Sequence, residues 1–106
     1  MSEHDHSPIK VKKRDEGLEL VLSGRVDIFF AEELHAAARM LEDDSGPVHI
    51  TCTDAEHMDT AALQILVALK RSIDEQGRKW NLSGMGDELL ETIHLSGAAS
   101  ALGLAA

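Results

Sequence analysis

At 106 residues the chain is the size of one domain, and its 43% apolar content supplies a single core without disulfide or metal staples. Nineteen acidic against ten basic side chains give a formal net charge of −9, which repels phosphate backbones and anionic lipid and excludes nucleic acid as a partner. Phe29, Phe30 and Trp80 are the only aromatic residues, too few for stacking on bases or sugars, and the single cysteine, Cys52, rules out an internal disulfide and fits a reducing compartment.

The polar opening stretch, residues 1–8, has nothing to bury and ends in proline, so it is expected to be a disordered lead. It lacks the apolar run of a signal peptide, and no later run approaches membrane-spanning length, so the protein is expected to be cytoplasmic, with no direct membrane insertion. His4 and His6 flank Asp5, but two ligands on a mobile tail do not make a metal site, and no metal or other cofactor is expected. From Ile9 to Arg14 apolar and basic residues alternate, predicting a strand whose Lys10, Lys12, Lys13 and Arg14 form a charged, solvated edge. Asp15-Glu16-Gly17 has turn chemistry, and Leu18 to Leu22 supplies a second strand, antiparallel to the first.

Ser23 to Asp27 is read as a loop. Ile28 to Leu41 then carries Phe30, Leu34, Ala37, Ala38 and Leu41 at the spacing of one helical face, with Asp27 as N-cap and Glu32 and Glu33 in the first turn. Gly46 and Pro47 end that unit, and Val48 to Thr53 alternates as a third strand that turns Cys52 toward the core. After a bridge over Asp54 to Met58, Asp59 and Thr60 start a helix to Gln76 that buries Ala62, Ile65, Leu66, Leu69 and Ile73 and stops at Gly77. Lys79 to Ser83 is a fourth strand, Asp87 to Leu95 a third helix broken by Gly97, and Ala98 to Leu102 a short helical tail. The order ββαβαβα makes a single α/β domain over residues 9–104: a mixed four-stranded sheet with its first strand antiparallel, the rest parallel, and helices packed against it.

Six histidines and many carboxylates invite a test for catalysis. His35, His49, His57 and His94 have no partner at metal-ligand spacing, and no Gly-rich phosphate loop, nucleophile elbow or paired-cysteine site is present. A non-enzymatic protein is expected. Thr60 shares a helix face with Leu63, Gln64, Val67 and Arg71, at i+3, i+4, i+7 and i+11. Leu63 and Val67 therefore lie on the hydroxyl side, away from the core face through Ile65, Leu66 and Leu69, which fits either a helix packed on two sides or an apolar partner-binding strip beside a modifiable hydroxyl. A phosphate on Thr60 would suit the helix dipole and leave the fold intact, yet it would lie beside Asp59 and near Asp27, so a partner surface matched to the unmodified site would lose its fit.

Two segments carry a resemblance. Leu22-Ser23-Gly24-Arg25-Val26-Asp27 is similar to the Leu-x-Gly-x-Leu-Asp signature of the STAS domain family, and Met58-Asp59-Thr60-Ala61-Ala62-Leu63 is similar to its Asp-Ser-Ser-Gly-Leu signature. Their order and spacing agree with the family, and Leu95-Ser96-Gly97 resembles its closing segment. The resemblance implies the fold of bacterial anti-sigma-factor antagonists, regulators whose hydroxyl residue after the aspartate is phosphorylated by an anti-sigma kinase, which breaks partner binding. Carried over, the phosphorylated residue is Thr60, and the partner-binding residues are Asp27, Asp59, Thr60, Leu63, Gln64 and Val67. The implied partner is an anti-sigma factor or serine/threonine kinase of the histidine-kinase-like ATPase type. Thr60 replaces the commoner Ser, Ala61 removes the second hydroxyl, and Ala62 stands where Gly is usual. The Asp-Thr-x-x-Leu form also resembles the small STAS subunit of the bacterial lipid-asymmetry transporter, which docks on an ABC ATPase subunit with its Thr unmodified, and STAS regulators of chemotaxis clusters.

Overall fold

Apolar residues recur at period two in some segments and near 3.6 in others, and strands and helices follow that division. The computed structural model describes residues 7–104. In chain order it contains β1 (Ile9–Lys13), β2 (Leu18–Val26), a 3-10 turn (Ile28–Phe30), α1 (Ala31–Asp43), β3 (Val48–Met58), α2 (Thr60–Glu75), β4 (Trp80–Ser83) and α3 (Asp87–Ser96). The strands form one sheet in the order β1-β2-β3-β4, with β1 antiparallel to β2 and the other neighbours parallel. This is the mixed α/β architecture expected from the sequence.

Alternation along the strands separates the two faces of the sheet. Leu20, Leu22, Val48, Ile50 and Cys52 point into the core, where Leu34 and Leu41 from α1 and Leu66, Leu69 and Ile73 from α2 join them, all at most 2% exposed. At roughly 1.5–3 kcal/mol for each fully buried aliphatic side chain, these burials are the main term opposing chain entropy. α1 packs on β1, β2 and α2, while α2 also covers β3 and β4, and α3 packs on β3. On the opposite face Thr51 Oγ1 donates to Glu19 Oε2, and Arg14 lies 3.8 Å from Glu19. Lys10, Lys12 and Lys13 of the edge strand are exposed, as expected. Among the described residues, no helix is long and apolar enough to cross a membrane.

The structure departs from the expected boundaries in five places. β2 continues through Ser23–Val26 and β3 through Asp54–Met58, both read as connections from sequence. The first helix starts at Ala31, three residues later than expected, after the 3-10 turn. Ser7 and Pro8, assigned to the disordered lead, are seated: the Ser7 hydroxyl donates to Glu33, and the Pro8 carbonyl accepts from Ser23 N–H at 2.9 Å. His4 and His6 lie outside the described residues. Finally, the expected helical tail is a set of turns, in which Leu102 N–H donates to the Ala98 carbonyl. One such turn nucleates a helix without propagating it. Trp80 Nε1 donates to the Leu102 carbonyl at 3.1 Å, and this bond with the burial of Leu102 fixes the tail.

Candidate functional site

The site is assembled where β2 and β3 end together. Their register pairs Leu18 with Val48 and Val26 with Met58, although β2 has 9 residues and β3 has 11. Two register shifts absorb the difference, one between Val21 and Ser23 and one between Gly24 and Arg25. Gly24 adopts φ +62°, a conformation that an L side chain resists, although nothing crowds its missing Cβ. The pairing of Val26 with Met58 sends Asp27 and Asp59 out side by side, at the strand C-terminal edge where open α/β sheets place their sites.

Each carboxylate there binds backbone. Asp59 Oδ1 accepts from Ala62 N–H at 3.0 Å and so caps α2. Its Oδ2 accepts from Ile28 N–H at 2.9 Å, so one side chain ties the α2 start to the turn after β2. Asp27 Oδ1 accepts from Phe29 N–H at 3.1 Å. Asp27 is therefore a cap, as expected, but of the 3-10 turn; α1 begins behind Phe30 with no side-chain cap. Thr60 is the first residue of α2 and is exposed at its positive end.

The expected strip on α2 is a groove. Thr60, Leu63, Gln64, Val67 and Arg71 line a depression of about 450 Å³, with Ser96 and Ala98 on its far wall. Gly97, at φ +83°, ends α3 in the left-handed region and turns the tail to make that wall. Leu63 is only 4% exposed: it belongs to the core and forms the floor, so the reading of Leu63 as an exposed contact is corrected. Val67 is half-buried and Gln64 is exposed. The cause is that the end of α3 and the tail wall in a second side of α2, where the i+3 side chain packs into the core below the groove. The candidate residues thus divide, with Thr60, Gln64 and Val67 on the groove, Asp27 and Asp59 on the turn, and Thr60 next to Asp59 where the two regions meet.

Apolar groups also lie beside the carboxylates. Ile28 is 66% exposed and Phe29 88%, although Phe30, next in sequence, packs against the core. Cys52, by contrast, is fully buried, and desolvation pushes its thiol from the ordinary 9.0 up to about 12. It is a neutral core residue.

A family model described as "Mlab, STAS domain" matches residues 9–104. The chain belongs to the STAS domain family. The anti-sigma-B factor antagonist of Listeria monocytogenes is 24% identical over 91 residues, which cover 84% of this chain and 80% of that protein. An anti-sigma factor antagonist from Mycobacterium paratuberculosis superposes with a TM-score of 0.77 at 24% identity, covering 91% of this chain and 82% of that one. The phosphorylated form of the Bacillus cell fate determinant SpoIIAA superposes with a TM-score of 0.69 at 14% identity, over 90% of this chain and 85% of that one. In this STAS domain the two signature segments, Leu22–Asp27 and Met58–Leu63, occupy the neighbouring strand ends whose pairing builds the site.

Sequence reasoning passed over Ile28 and Phe29 in this STAS domain. The signal was present: Phe30 falls on the stripe with Leu34, Ala37, Ala38 and Leu41, which leaves Phe29 off it. Taking Ile28 as the first residue of a helix hid that mismatch.

Proposed function

We propose that this STAS domain is a non-enzymatic, cytoplasmic regulatory module that binds a protein partner through the Asp59-Thr60 helix end, and that phosphorylation of Thr60 switches the binding off. The observation that carries this reading is the exposed Thr60 at the first position of α2, directly after a carboxylate fixed by two backbone donors. The antagonist names of its relatives and the phosphorylated state of SpoIIAA support it. The partner is an anti-sigma factor or kinase with a histidine-kinase-like ATPase fold. It transfers the γ-phosphoryl group of ATP to Thr60: the Oγ1–P bond forms, the bridging β–γ P–O bond breaks, ADP leaves and the hydroxyl proton is lost. The product adds about −1.5 to −2 charge beside Asp59. The dipole of α2 accommodates that charge, so the fold persists, whereas a partner surface closed against the neutral hydroxyl and its two carboxylates has no room for the added group and loses its fit.

Incubation with the organism's purified histidine-kinase-like ATPases and ATP is expected to place phosphate on Thr60, and none on the Thr60→Ala variant. Thr60→Glu is expected to bind the partner at least tenfold more weakly than wild type while melting at the same temperature or slightly higher. Absence of phosphate together with full binding by Thr60→Glu overturns the switch.

A second reading is favoured by the Mlab description of the matched family and by the Asp59-Thr60-x-x-Leu63 form of the signature. In it the domain is an accessory subunit of an ABC transporter, docked on the ATPase with Thr60 unmodified. Copurification separates the two readings: a histidine-kinase-like ATPase supports the first, an ABC ATPase the second.

A further inference from the structure

Burying Ile28 and Phe29 in the core would be the default for two large apolar side chains in a chain with only three aromatic residues. Instead they stand 66% and 88% exposed. The turn that carries them is not loose, because Ile28 N–H is bound by Asp59 and Phe29 N–H by Asp27. Backbone bonds close the same turn, from Phe30 N–H to the Asp27 carbonyl at 2.9 Å and from Asp59 N–H to the Val26 carbonyl at 3.3 Å. Two exposed apolar side chains are thus presented on a fixed backbone, whose ordering cost is met on folding and not on binding.

Resting on the partner-binding reading above, we infer that Ile28 and Phe29 are the apolar anchor of the partner interface, inserted into an apolar pocket rimmed by Lys or Arg on the partner protein. The charge around the anchor specifies the rim. Asp27 and Asp59 hold the turn, Glu32 and Glu33 follow in the first turn of α1, and the chain as a whole carries −9. A second copy of this chain would set those acids against themselves, whereas a basic rim complements them. An aromatic residue at the centre of an interface, ringed by charge, is the arrangement that concentrates binding energy. Asp59 acts as a positioning residue, because the carboxylate adjoining Thr60 also fixes the anchor. A phosphate on Thr60 therefore opposes binding through its bulk, which holds the basic rim off both carboxylates, while the anchor itself remains on the domain.

The probes are the purified histidine-kinase-like ATPases and ABC ATPase subunits of the same organism, each titrated against the full chain. Phe29→Ser and Ile28→Ser are each expected to weaken binding at least tenfold, and the pair together about a hundredfold. Met40→Ser is the control: Met40 is 54% exposed and ten residues along α1 from Phe30, about 15 Å by helix rise, and its variant should bind within twofold of wild type. Because the substituted side chains are exposed, melting temperatures should be unchanged. Raising salt from about 50 to about 300 mM should slow association several-fold. If Thr60→Glu abolishes binding while Phe29→Ser and Ile28→Ser bind within twofold of wild type, the anchor is refuted and the partner-binding reading stands. If the apolar variants fail and Thr60→Glu binds normally, the anchor stands and the switch falls. A salt-independent association rate removes the basic rim. Should no ATPase of either class bind the wild type, the reading and the anchor fall together.

Discussion

Two helices leave the same edge of the sheet, α1 after β2 and α2 after β3, and each follows an aspartate. Asp59 caps α2 directly, and the helix runs from the next residue. Asp27 closes only a 3-10 turn, and α1 starts uncapped at Ala31. The first arrangement makes a rigid helix end carrying an exposed hydroxyl. The second makes a short apolar projection that depends on its neighbour, since Asp59 accepts hydrogen bonds from both segments while Asp27 serves only its own turn. Similar sequence signals therefore give one self-sufficient element and one supported element.

The largest expected effect sharpens the position of α2 itself. Leu63→Ala should cost about 2–4 kcal/mol, because Leu63 is a core residue, while Val67→Ala, four residues on and half-buried, should cost under about 1 kcal/mol. Equal small losses in urea unfolding would restore Leu63 to an exposed strip. Next comes the difference between the carboxylates. Asp59→Ala loses a cap and a second bond and should cost about 2–3 kcal/mol, against about 0.5–1 kcal/mol for Asp27→Ala. Cys52 reports this independently. Its thiol is fully buried and desolvation pushes it up, so alkylation waits on the opening of β3 and should accelerate roughly 30-fold or more in Asp59→Ala and about fivefold or less in Asp27→Ala. Matching rates in the two variants would erase the asymmetry. Gly24→Ala should cost about 1–2 kcal/mol through its positive φ alone, an effect that a Gly24→Asn variant should partly relieve, Asn being the residue that best tolerates that region.

Most of the fold was legible in the chain. The period-two and period-3.6 patterns located every strand and helix, and the α2 core positions Ala62, Ile65, Leu66, Leu69 and Ile73 are all buried as read. The strand ends were not legible. Asp54, Glu56 and His57 are polar and read as a connection, yet β3 continues through them, because β4 pairs only with Val48–Thr51 and leaves the rest of β3 open on that side. A strand paired on one edge tolerates polar residues where one paired on both does not. The 3-10 turn escaped for a similar reason, since Asp27 carries the same capping signal whether an α-helix or a tighter turn follows it.

Local chemistry by itself determined that Asp59 and Thr60 open a helix, since caps act over a few residues. The apolar periods likewise determined which face of each helix is buried. Tertiary structure alone decided that Asp59 also holds Ile28, that Leu63 is a floor and not a contact, and that Phe29 stands in solvent beside two carboxylates. Those facts depend on the register of β2 against β3 and on a tail folded across α2, and pairings between residues thirty positions apart leave no periodic trace in the sequence.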